Sequence, residues 1–255
     1  MADGDIQYPS GFSYEDIAGW GTTGMVVLDK ASNTVIKTPH DHGDAELLTR
    51  ERQIYERFTK RGGHPGILSY YGTFDSGIRL QFASNYHLLT FNKKNPVSSQ
   101  QRLRWAIEIV EAVDFMHRAG VIHGDLTLSN ILLDENLNVK LTDFAGSSLD
   151  GSELLIAVTA SYEFPGPLLS IQADLFALGS VLYELFTKDP PYKGRTEKEI
   201  ECLYRDGEFP DTTSIGTVGR VITNCWQTKY TECGSILKDL KGISLPSPNA
   251  TNPGH

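Results

Sequence analysis

The run His123-Gly124-Asp125-Leu126-Thr127-Leu128-Ser129-Asn130, followed by Asp143-Phe144, constrains this chain more than any other feature. Before it lies a helical pattern, with Leu103, Ala106, Ile107, Val110 and Val113 on one apolar stripe and Ser98 and Gln101 spaced as a capping box. Between Asn130 and Asp143 lie two short β-rich runs, Ile131-Leu132-Leu133 and Val139-Lys140-Leu141-Thr142, which read as a hairpin. Isolated Asp and Asn residues are commonly turn formers. Here a hairpin spaces them so that they supply one carboxylate to accept a proton and two side-chain oxygens to hold divalent cations.

The first third of the chain adds phosphate chemistry. Gly19-Trp20-Gly21-Thr22-Thr23-Gly24 fits GxGxxG, which alone is a weak signal. In a dinucleotide fold it should open a helix; here it runs into the strand-like Met25-Val26-Val27-Leu28, and Thr34-Val35-Ile36-Lys37 follows. Glycines at such a place let backbone amides approach phosphate oxygens closely. Lys37 ends its strand as a point charge suited to phosphate. Residues 44–60 read as a helix, on which Glu51 shares a face with Ile54, Tyr55 and Phe58 and can turn toward Lys37; Glu46 and Glu56 compete for that role. Two further strands are expected at residues 67–71 and 78–82. The last two thirds are mostly helical, and residues 173–188 are so apolar on every face that they predict a buried central helix.

Composition narrows the partners. The chain has 255 residues and a net charge of −9, which argues against a general nucleic-acid binder or a binder of anionic membranes, since both need a positive field. The start, Met1-Ala2-Asp3-Gly4-Asp5, lacks the apolar run of a secretory signal, and no stretch approaches the ~18 apolar residues of a membrane span. The three cysteines, Cys202, Cys225 and Cys233, lack metal-ligand spacing, and the last two read as packing residues. A cytoplasmic, monomeric protein is the expectation. Residues 244–255 read as a flexible tail, and the Asn249-Ala250-Thr251 sequon within it as chance.

Taken together these residues resemble a eukaryotic protein kinase domain. The resemblance implies an α+β bilobal fold: a lead-in at 1–13, then a kinase-like domain over 14–243, with a small β-rich lobe over about 14–82, a hinge over about 83–87 and a larger α-helical lobe over about 88–243. It implies ATP and Mg2+ as cofactors and a protein substrate. Asp125 becomes the catalytic base, Asn130 and Asp143 the magnesium ligands, and Lys37 with Glu51 the ion pair that anchors phosphates. Gly19, Gly21 and Gly24 cover the phosphates. Gln81, Phe82 and Ala83 form the hinge that meets adenine, with Leu80 as gatekeeper, and Val26, Val35 and Leu132 pack on the base. Tyr55, His123 and Phe144 form a regulatory stack. Thr159, six residues before Pro165, is similar to the threonine that braces the aspartate in serine/threonine kinases.

The chain departs from that family at several points. Gly124 stands where many members carry an arginine that receives an activation-segment phosphate. Thr127 replaces a lysine and Ala145 a glycine, for which Gly146 is expected to supply the missing freedom. Phe164-Pro165-Gly166 lacks the usual glutamate, and no arginine lies between Tyr230 and Leu237 to pair with one. An active Ser/Thr protein kinase is the leading reading. A nucleotide-holding pseudokinase that regulates a partner is the alternative, and a small-molecule kinase ranks last, since such enzymes lack the central helix followed by Pro190-Pro191-Tyr192.

Overall fold

A computed structural model describes residues 7–41 and 43–244. The expected flexible tail, apart from Ser244, and the first five residues lie outside the described residues. The amino-terminal part is a five-stranded antiparallel sheet of β1 (Ile17–Gly21), β2 (Gly24–Asp29), β3 (Thr34–Thr38), β4 (Tyr70–Phe74) and β5 (Gly77–Gln81), in the order β1-β2-β3-β5-β4. Strand alternation gives this sheet two different faces. Met25, Val27 and Ile36 point to an outer cluster closed by Tyr8, Phe12, Ile17 and Phe74. Val26, Val35 and Lys37 point the other way, toward the carboxy-terminal part.

Helix α1 (Ala45–Lys60) packs under the sheet through Leu48, Glu51, Ile54, Tyr55 and Phe58, which recur at helical spacing. Glu46 in its first turn and Arg57 and Lys60 in its last complement the helix dipole. The carboxy-terminal part is built from α2 (Leu88–Lys94), α3 (Ser99–Arg118), α4 (Ile171–Thr187), α5 (Glu197–Arg205), α6 (Thr217–Trp226) and α7 (Cys233–Lys241). Its short strands are β6 (Val121–Ile122), β7 (Ile131–Leu133), β8 (Val139–Leu141) and β9 (Ser148–Leu149), paired β6-β9 and β7-β8. Helix α4 is buried on nearly all sides, packs against α3 and α6, and ends on Lys188 in the left-handed region (φ 71°). Cys225 and Cys233 are buried and Cys202 is exposed. No described helix is long and apolar enough to cross a membrane.

Several expectations shift. The glycine motif begins inside a strand, because Gly19 and Gly21 pair with Val26 and Gly24. The strand expected at 67–71 starts instead at Tyr70. Ile67 and Leu68 are buried because Ile67 bridges Leu141 and Leu68 N–H donates to Leu141 O at 3.3 Å, tying the two parts together. Apolar content there reflects burial at a crossing, which a strand pattern does not distinguish. The capping box at α3 has one arm only: Ser98 accepts from the Gln101 N–H, and the Gln101 side chain does not return the bond.

Candidate active site

Lys37 lies on the inner face of β3, and its Nζ is 2.7 Å from both Glu51 Oε2 and Asp143 Oδ1. Of the three helix acids Glu46, Glu51 and Glu56, it is Glu51 that meets Lys37. Burial alone would lower the Lys37 ammonium, but the two carboxylates outweigh it and hold the group above its ordinary range. Burial pushes the Glu51 carboxyl up, while Lys37 and the Phe144 N–H oppose that shift. A lysine held above its ordinary range stays protonated at neutral pH, so Lys37 faces the two carboxyl groups as a cation. Burial would also raise Asp143, yet the Lys37 charge and hydrogen bond keep it below the usual carboxylate range.

The loop carrying Asp125 is anchored from below. Asp174, a buried acid in the first turn of α4, accepts the His123 N–H at 2.8 Å on Oδ2 and the Gly124 N–H at 3.0 Å on Oδ1; its Oδ2 also meets His117 Nε2 at 2.9 Å. Burying a charge is costly unless it is fully bonded, and these donors satisfy it. Asn130 Nδ2 donates to Asp125 O at 2.8 Å and to Asp125 Oδ2 at 2.9 Å. Those bonds fix the Asp125 carboxylate and leave the Asn130 Oδ1 as the amide's free oxygen. Thr159, expected to brace Asp125, is exposed and makes no side-chain hydrogen bond among the described residues; Asn130 takes that place.

A cavity of ≈190 Å³ lies between the two parts, lined by Gly19, Gly21, Gly24, Val26, Val35, Lys37, Leu80, Gln81, Phe82, Ala83, Asn130, Leu132 and Asp143. Apolar walls at Val26, Val35, Leu80 and Leu132 suit a flat heteroaromatic base, and Lys37 with the glycine strands suits its phosphates. Glu51 lies behind Lys37, fully buried, and Asp125 sits outside the cavity lining. Gly24 has no room for a side chain, since a Cβ there would meet Thr38 O at 2.3 Å. Thr23, at the tip between β1 and β2, reaches Asp143 Oδ1 at 3.5 Å. The oxygens of Asp143 and Asn130 are the hard donors that magnesium prefers, so the residues fit that ion. A larger hollow of ≈330 Å³ beside Phe164, Pro165 and Gly166 holds none of these groups.

Above the loop runs the segment from Asp143 to Pro165. Asp143 is left-handed (φ 63°), a conformation that Asp tolerates better than most residues, and Ala145 is not among the positive-φ residues. Alanine is therefore accommodated without strain. Gly146 plays a different part from the one expected. Its φ is not positive; its lack of a side chain makes room for Ile156, whose Cβ would lie 2.5 Å from an added methyl. Arg50 Nη1 donates to Ser147 O at 3.1 Å, Ser152 Oγ at 2.6 Å and Glu153 O at 3.2 Å. Arg57 binds both Asp150 carboxylate oxygens, at 3.0 and 2.6 Å, and Ala119 O at 2.9 Å.

The rings expected to stack do so. Phe144 lies 5.4 Å from Tyr55 and 5.2 Å from His123, and Tyr70, not foreseen from the sequence, stacks on Tyr55 at 6.0 Å. Asp174 was also missed as an anchor. Its signal was available: a carboxylate in the first turn of a mostly apolar helix, directly before the run Leu175-Phe176-Ala177-Leu178. Arg50 left no such signal, since an arginine beside a buried glutamate reads as an ordinary surface residue.

A sheet of this order over a helical part, with a lysine clamped between a helix glutamate and a loop aspartate, defines a protein kinase. The protein kinase domain family model matches residues 13–240, and the chain belongs to that family. It is 30% identical over 229 residues to human 3-phosphoinositide-dependent protein kinase 1, covering 80% of this chain and 40% of that protein. It is 32% identical over 189 residues to the serine/threonine-protein kinase PDK1 of Cryptococcus neoformans, covering 64% of this chain and 15% of that protein. Human NUAK family SNF1-like kinase 1 is 28% identical over 224 residues, covering 79% and 33% respectively. The chain thus spans well under half the length of these relatives.

Proposed function

We propose that this chain binds ATP with magnesium between its two lobes and transfers the γ-phosphoryl group to a serine or threonine hydroxyl of a protein substrate. The observation that carries this reading is Lys37 held at 2.7 Å from both Glu51 and Asp143, beside an Asp125 carboxylate fixed by Asn130. Lys37 binds the α- and β-phosphates, and the backbone of the β1–β2 turn covers them. Asp143 and Asn130 would hold the magnesium, which neutralises charge developing on the phosphates. With Oδ2 occupied by Asn130, Asp125 has Oδ1 to receive the acceptor's proton. The acceptor oxygen then forms its bond to the γ-phosphorus as the bond to the β–γ bridging oxygen breaks, and ADP leaves. Similarity to the serine/threonine-protein kinase PDK1 of Cryptococcus neoformans supports serine and threonine as acceptors. Thr127, where the family has a lysine, lowers the rate of transfer more than the affinity.

The test is transfer of radiolabel from γ-labelled ATP to generic protein substrates, beside Asp125→Asn. Label on serine and threonine that vanishes in the variant is expected. Incorporation no greater than the variant's would overturn catalysis, and with nucleotide binding retained would favour a regulatory pseudokinase.

A further inference from the structure

Trp20 is more than half exposed, at 57%, in the middle of the glycine motif, yet its ring is not free. It stacks on the His40 imidazole with centroids 4.6 Å apart and planes 28° from parallel. The same imidazole bonds Gly21 O through Nε2 at 2.8 Å. A carbonyl only accepts, so Nε2 carries the proton. His40 follows Pro39, directly beyond the end of β3, and proline fixes the backbone that carries the ring. The ring therefore crosses from the end of the lysine strand to the end of β1, joining the two strands that flank β2. Trp20 and Gly21 line the nucleotide cavity and His40 does not, so the contact holds the loop from outside. In a trans peptide the C=O and the following N–H point in opposite directions. Tethering Gly21 O to His40 thus turns the Thr22 N–H away from His40.

We propose that His40 is a positioning residue for nucleotide: through Trp20 and Gly21 it latches the glycine-rich turn in its lowered position, presenting the Thr22 amide to phosphate. Breaking the latch opens the path by which nucleotide leaves. This rests on nucleotide occupying the cleft as proposed above. Thr23 at the tip, 5% exposed and 3.5 Å from Asp143, is the inner end of the same closure.

Trp20 supplies its own probe, because Trp105 and Trp226, the other two tryptophans, are 0% and 2% exposed. In nucleotide-free protein, with Trp20→Phe as the blank, acrylamide should quench Trp20 more readily in His40→Ala than in wild type. MgADP should leave His40→Ala about threefold faster or more in stopped flow, the scale of one hydrogen bond with a stacked ring. KM for ATP should rise more than kcat falls, and the melting temperature should stay close to wild type. His40→Gln, which keeps a donor for Gly21 O, should recover more than half of the release-rate change. Unchanged quenching and unchanged MgADP release in His40→Ala would overturn the latch. So would a large melting shift with His40→Gln no better than His40→Ala, which would make the residue merely structural. Failure of wild type to bind MgADP would instead sink the nucleotide reading, while quenching in the nucleotide-free protein still decides the latch.

Discussion

Leu154 occupies the space that a side chain at position 124 would need: a Cβ on Gly124 would lie 2.5 Å from Leu154 Cδ2. Gly124 is also left-handed, with φ +76°, where side chains are disfavoured. The activation segment thus meets the catalytic loop through an apolar contact at the place where many kinases carry a phosphate-binding arginine. Gly124→Arg should destabilise the fold by ~1–3 kcal/mol through overpacking and lower transfer. Leu154→Ala in the same chain should restore part of both. Denaturant melts and label incorporation check this, and a double variant no better than Gly124→Arg would refute the steric relationship.

Arg50 takes over the task of ordering that segment. Its three bonds, to Ser147, Ser152 and Glu153, need no phosphate. Phosphatase-treated protein should keep most of its transfer rate. Arg50→Ala should lose about tenfold or more and become sensitive to limited proteolysis between Leu154 and Val158, since among the described residues the Arg50 guanidinium alone bonds all three positions. Strong dependence on phosphorylation would contradict this.

Asp125 and Asp143 should separate chemistry from binding. Asp125→Asn should abolish transfer and leave MgATP affinity within a few-fold, because that carboxylate lies outside the nucleotide cavity. Asp143→Asn should weaken metal-dependent binding as well, since it removes a carboxylate that lines the cavity and faces Lys37 at 2.7 Å. Calorimetry with MgATP distinguishes them, and equal losses would show the roles to be wrongly assigned.

Asp174 should give stability a defined pH dependence. Burial would raise its carboxyl, but the His117 hydrogen bond, the charges of His117 and His123, and the Gly124 N–H hold it below the ordinary carboxylate range. A depressed folded value means that its contribution is fully present above the unfolded value of about 3.9 and is lost as pH falls through the lower folded one. Asp174→Asn should cost on the order of 3 kcal/mol at neutral pH, as for other broken buried charge networks. The gap from wild type should narrow below about pH 4. Denaturation at pH 7 and under acid checks this, and a gap independent of pH would overturn it.

Much of this site was legible because its chemistry is local in sequence. Asp125 and Asn130 share one loop, and Val35 and Lys37 share a strand face by simple alternation. Glu51 was legible through helix periodicity, which put it on the face of Ile54, Tyr55 and Phe58. What escaped depends on distant pairing. Nothing near Ile67 indicates that it will meet Leu141, and nothing near Thr159 indicates that Asn130 will already hold Asp125. Gly146 was expected to serve for backbone freedom, whereas the packing of Ile156, ten residues on, sets its need. The Ile67 contact is fixed only once the two lobes are docked, and the other two only once the loops of the larger lobe have packed.

The rings of Tyr70, Tyr55, Phe144 and His123 form one continuous pile from β4 through α1 into the catalytic loop. Because Phe144 meets Tyr55 edge-on, at 88°, sideways sliding of one lobe over the other would drive an edge off a face and lose the contact. Turning about the pile's own axis keeps every neighbour in touch. The chain of rings therefore acts as a shear key, opposing any sideways slide of one lobe across the other while allowing a small twist about its own length.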